Sequence, residues 1–160
     1  MKINPQLEQL SACRLLTLLL TDRLYCISNH SYNHSDNRHY KELCSILLWK
    51  HSEAYGKYDG CKCWSMIAIE SVKKHGCIPS SRKQYGLDAV MHEHIFPRNQ
   101  LIEELFKLNL LSASIVKNIL DRLNIGIVIT VSENNRLSPT GTLDNPFCRY
   151  ESAGIKIVEY

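Results

Sequence analysis

Residues 125–131 read I-G-I-V-I-T-V, a short β-branched run that demands a place inside a sheet. The rest of the chain is mostly helix-like, so the expected plan is a helical N-terminal half followed by a small α+β unit. Pro5 suits the opening turn of a first helix reaching about residue 27, with Leu7, Leu10, Leu15, Leu18 and Leu19 as its apolar stripe. Residues 15–20 read as buried helix. The polar stretch 28–37 reads as a loop. A second helix is expected over 38–55, with Leu43, Ile46 and Leu47 facing inward, and a third over 62–75, closed by Gly76. Residues 87–96 form a β-prone stretch that stops at Pro97. Helices over 98–108 and 112–123 then precede the 125–131 strand. Ser132 is placed to cap a short helix starting at Glu133, Pro146 opens another that Gly154 closes, and 155–158 is a last strand candidate.

Hydrophobic residues make up 44% and charged residues 22%, which predicts a packed core rather than disorder. A net charge of +3 permits a nucleic-acid partner but is far below that of proteins that coat DNA. Seven cysteines, an odd number with no C-x-x-C pair, fit a reducing cytoplasm better than a disulfide framework. The most apolar run, 15–20, is too short to span a bilayer, so a soluble cytoplasmic protein without a membrane partner is expected.

Two segments stand out for chemistry: M-H-E-H-I-F-P-R at 91–98 and V-I-T-V-S-E-N-N-R-L at 128–137. Phosphodiester hydrolysis needs a deprotonated water and neutralisation of charge on the phosphorus centre. An imidazole supplies the first near neutral pH, and a hard cation on oxygen ligands supplies the second. On a strand Glu93 and His94 point to opposite faces, so only a bulge or the strand end at Pro97 aims both at one phosphate. Asn135 is expected in the first turn of its helix, where amide groups favour phosphate.

These segments resemble the two halves of the HNH endonuclease motif, most closely the HNH domains of RNA-guided CRISPR nucleases. The resemblance covers about residues 87–136. It implies an α+β fold with a ββα-metal core and a helical insertion, organised as a helical region 1–76 and an HNH-like region 77–160 in one compact unit. It implies Glu93 and Asn135 as metal ligands, His94 as general base, and Mg²⁺ or Mn²⁺ as cofactor. His92, Arg98 and Arg136 are additional candidates. The acidic position is commonly Asp in that family, and this chain has Glu93. The implied activity is DNA hydrolysis; the small size and weak basicity point to a protein partner for targeting, and size and type to a setting in phage–host conflict. The alternative is a non-catalytic HNH-like or helical binding protein, inhibitor or adaptor, favoured by a first half without chemistry of its own.

Cys61, Cys63, His75 and Cys77 are the best zinc candidates, although C-x-C is not the knuckle spacing and incidental thiols are the stronger expectation. His30, His34 and His39 read as a solvated polar loop. Lys73, Lys74, Arg82, Lys83, Arg98 and Arg149 form either a phosphate-facing track or scattered surface charge. Trp64, Phe96, Phe147 and Tyr150 are assigned to the core. R-Y-E-S-A-G-I at 149–155 reads as a supporting helix.

Overall fold

The computed structural model describes residues 4–160, without the side chain of His34. Along the chain run α1 (Pro5–Ser28), α2 (His34–Ser52), β1 (Cys63–Ser65), α3 (Met66–His75), α4 (Arg82–Tyr85), β2 (Val90–His94), α5 (Arg98–Phe106), α6 (Ala113–Leu123), β3 (Gly126–Thr130), α7 (Val131–Asn134), α8 (Cys148–Ser152) and β4 (Ile157–Glu159). The chain divides into two compact units. One joins the residues up to Ala54 with Arg98–Asn124, and the other joins Tyr55–Pro97 with Ile125–Tyr160. This differs from the expected break at residue 76, because the insertion between the two motif segments folds with the N-terminal helices.

The helical unit is α1, α2, α5 and α6. Asn4 caps α1 by accepting from the Gln6 N–H at 2.9 Å, with Pro5 in the first turn. Asn33 and Asp36 form a capping box, so α2 starts at His34, four residues before the expected position. The core is drawn from Ala12, Cys13, Leu16 and Leu20 of α1 and Cys44 and Leu48 of α2. Leu101, Ile102 and Leu105 of α5 and Val116, Leu120 and Leu123 of α6 complete it. Arg23 donates to the Phe106 carbonyl at 3.3 Å, with its guanidinium 3.9 Å from the Phe106 ring centroid.

The expected orientation of α1 and α2 is corrected here. Leu7, Leu15 and Leu18 are exposed, Leu18 at 67%, as are Leu43 and Ile46 of α2. Helix α1 is apolar on both sides, so an apolar stripe does not say which side the core takes. Small residues decide it: Ala12, Cys13 and Cys44 admit close helix approach, and Leu16, Leu20 and Leu48 fill the seam.

The second unit holds a four-stranded mixed sheet in the order β2-β3-β1-β4. Strand β3 pairs antiparallel with β2 and parallel with β1, and β4 pairs antiparallel with β1. As an interior strand covered on both faces, β3 is buried at all five positions, which its continuous apolar sequence anticipates. The segment C-W-S, expected as helix, is β1. Ser65 has extended backbone and accepts from the Ala68 N–H at 3.0 Å, so α3 cannot begin before Met66. Trp64, Val90 and Val128 share one face and pack with Cys61 and Ala68. Gly76 closes α3 with φ 68°, as expected of a C′ glycine.

The fold is therefore α+β, mostly helical, with a small mixed sheet. Among the described residues no helix is long and apolar enough to cross a membrane. All seven cysteines are free thiols.

Candidate functional site

Strand β2 carries M-H-E-H as an unbroken ladder. Its pairs run Val90↔Thr130, Met91↔Ile129, His92↔Val128, Glu93↔Ile127 and His94↔Gly126 without a bulge. Strand alternation then puts His92 and His94 on one face and Glu93 on the other. Both histidines are buried, each 3% exposed, with ring centroids 5.1 Å apart and planes nearly perpendicular. Gly126 leaves the space that the His92 ring occupies: a Cβ there would lie 2.2 Å from His92 Nε2 and 3.0 Å from Cys61 Sγ.

On the opposite face Arg149 Nη2 donates to Glu93 Oε1 at 2.9 Å. The Arg149 side chain is only 5% exposed and that of Glu93 23%. The carboxylate assigned to a metal is thus the partner of an enclosed guanidinium. Next to it, Tyr150 Oη donates to the His94 carbonyl at 3.1 Å. Burial, reinforced by the charge of Glu93, pushes the Tyr150 phenol well above its ordinary pKa and keeps it a donor.

Asn135 lies elsewhere. The expected cap at Ser132 is replaced by Thr130, whose hydroxyl accepts from the Glu133 N–H at 3.2 Å while Glu133 reaches back to the Thr130 N–H at 2.9 Å. Moving the cap two residues earlier makes Asn135 the C-cap of α7 rather than a first-turn residue, so the amide-rich end of the helix is not beneath it. The ladder also runs the wrong way for a shared site. His94 pairs with Gly126, four residues from the Thr130 end that leads into α7, a separation of about 13 Å along the strand. Strand alternation therefore aims Glu93 and His94 at different faces, and Asn135 follows the end of β3 opposite the one that pairs with His94.

Arg136 is exposed and donates to the Ala153 carbonyl at 3.3 Å. Arg98 opens α5 in the helical unit, its guanidinium 4.5 Å from the Trp49 ring centroid. The basic track is broken up as well, since Arg149 is enclosed with Glu93 and Lys74 pairs with Asp88 at 2.5 Å. Cys61 is buried, Cys63 is half-buried on β1, Cys77 is exposed and His75 Nε2 lies 3.4 Å from Asp88 Oδ2. Among the described residues no group of three or more His, Cys, Asp or Glu is placed to hold a metal ion. Trp64, Phe96 and Tyr150 are core residues as expected, and Phe147 is half-buried.

Sequence reasoning missed a second polar centre. Glu133 is 1% exposed, and its Oε2 receives Ser65 Oγ at 2.6 Å, the Thr130 N–H at 2.9 Å and Thr130 Oγ1 at 2.9 Å. The T-x-x-E spacing at 130–133 was the signal for it. No family model matches this chain, and no curated protein or solved structure matches it.

Proposed function

We propose that this chain is a non-catalytic binding protein that works through its helical unit. The observation that carries the reading is the outward apolar surface of α1 and α2, where Leu15, Leu18, Leu43 and Ile46 are all about half exposed or more. A helix apolar on both sides is usually covered on both, and exposed patches of this kind mark interaction surfaces. The placement of Glu93, His94 and Asn135 agrees with it, since two of the three are engaged in packing and ion pairing. Seven free thiols, one of them the exposed Cys77, suit a reducing cytoplasm.

One observation favours a second reading, a Mg²⁺- or Mn²⁺-dependent DNA nuclease. Strands β2 and β3 are antiparallel and lead into α7, the strand–strand–helix order of a ββα-metal core. That reading requires Glu93 to exchange Arg149 for an ion shared with His94, which lies on the other face of β2. Plasmid nicking with Mg²⁺ or Mn²⁺ separates the two. The binding reading expects no metal-dependent cleavage from either wild type or His94→Ala. Cleavage by wild type that is lost in His94→Ala and in chelator overturns it.

A further inference from the structure

Resting on the binding reading, we propose that the occupant of the α1–α2 face is a second copy of this chain, with the two α1 helices packed antiparallel about a two-fold axis at Leu18. Leu15, Leu18 and Tyr25 are exposed on α1 at helical spacing, opposite the buried Ala12, Leu16 and Leu20.

The charges on this face select the partner and its direction. Arg14 and Asp22 are both exposed, and each lies four residues from Leu18, on opposite sides of it. In an antiparallel pair centred on Leu18, Arg14 of one copy comes level with Asp22 of the other, and the axis generates the same contact twice. A parallel pair in that register sets Arg14 against Arg14 and Asp22 against Asp22. The Arg14 and Asp22 charges of α1 are therefore complementary in the antiparallel direction and not in the parallel one, which is what an isologous antiparallel contact requires.

Helix α2 extends the same surface. Leu19 and Asp22 of α1 and Tyr40 and Leu43 of α2 line one cleft of about 360 Å³, and the Tyr40 hydroxyl donates to Asp22. Leu43 therefore lies level with Leu19, and Ile46, one turn further along the antiparallel α2, comes level with Leu15. The exposed residues of both helices thus centre on the height of Leu18. The axis there stacks one two-helix layer on another, with the apolar side chains inside and the charge pairs at the flanks.

Sedimentation of the full chain tests this, with wild type, Arg14→Asp, Asp22→Arg, the double variant and Leu18→Arg, each checked by circular dichroism. Wild type is expected as a dimer. Each charge variant is expected to weaken dimerisation about tenfold or more, and the double variant to return it to near the wild-type constant. Leu18→Arg is expected to be monomeric. Asp22→Arg also removes the hydrogen bond from Tyr40, so the recovery in the double variant is the deciding readout. A monomeric wild type overturns the proposal, as does a folded double variant that fails to recover, or a dimer indifferent to Leu18→Arg. A monomer without metal-dependent nicking refutes the dimer alone. A dimer whose nicking is lost in His94→Ala refutes the non-catalytic reading alone.

Discussion

Arg149 holds Glu93 at 2.9 Å on one face of β2, while His94, the next residue along the strand, is buried on the other face. The two adjacent residues that resemble an acid–base pair thus serve two different interiors. If Glu93 is a structural partner, Arg149→Ala leaves a partly enclosed carboxylate without its cation and costs about 3 kcal/mol. Glu93→Gln in that background recovers much of the loss, because the uncompensated charge is gone. Chemical denaturation of the two single variants and the double variant measures the coupling. Purely additive losses would show that the pair is incidental.

Gly126 and His92 make a second coupled pair. Gly126→Ala places a methyl group where the imidazole sits, and overpacking of this kind costs about 1–3 kcal/mol. His92→Ala alone loses packing, but it opens the space that the new methyl group needs. The double variant is expected to be more stable than the sum of the singles allows, read as a rise in the denaturation midpoint relative to additivity.

The Glu133 carboxylate organises the β3–α7 junction. Glu133→Ala strands the Ser65 and Thr130 hydroxyls and the Thr130 N–H in the interior, an expected loss of about 2–3 kcal/mol. Ser65→Ala removes one donor to a carboxylate that keeps two others and also the cap on the Ala68 N–H, an expected loss of about 1–2 kcal/mol that stays below that of Glu133→Ala. Equal effects would argue against Glu133 as the shared acceptor.

His51 gives the helical unit a pH dependence. Its Nδ1 lies 3.2 Å from Asn124 Nδ2, and Asn124 Nδ2 also donates to the Leu48 carbonyl at 2.8 Å. Burial lowers the His51 pKa from its ordinary 6.5, opposed by the charge of Asp121 and assisted by that of Lys117. The unfolded chain therefore takes up a proton at higher pH than the folded one. Stability from this group is complete above about pH 6.5 and is lost as pH falls from there toward the folded value. The expected result is a melting temperature that drops between about pH 7 and pH 5, with a smaller drop in His51→Gln. An unchanged slope in that variant would assign the dependence to another group.

Strand β3 was legible because an interior strand buried on both faces needs little more than a short β-branched run. The closing glycine of α3, Gly76, was legible for an equally local reason. By contrast, β1 has three residues, too few for a period to register, and its partners β3 and β4 lie far along the chain. The inward face of α1 was not legible, because Leu15 and Leu18 are as apolar as Leu16 and Leu20, and only packing against α2 and α6 separates them. Which side chains share a face was not legible for a long-range reason. Local spacing brings Glu93 beside His94 and Asn135 after a strand, whereas the β2–β3 register decides which ends meet. Two readings of the helix start, Thr130 against Ser132, decided whether Asn135 opened the helix or closed it.

The non-catalytic reading is tested most directly by a crystal soaked in Mn²⁺, with the anomalous signal locating the ion. The account predicts no peak shared by Asn135 with either Glu93 or His94, and a Glu93 carboxylate that stays on Arg149. A manganese peak within coordination distance of Asn135 and of either Glu93 or His94 contradicts it.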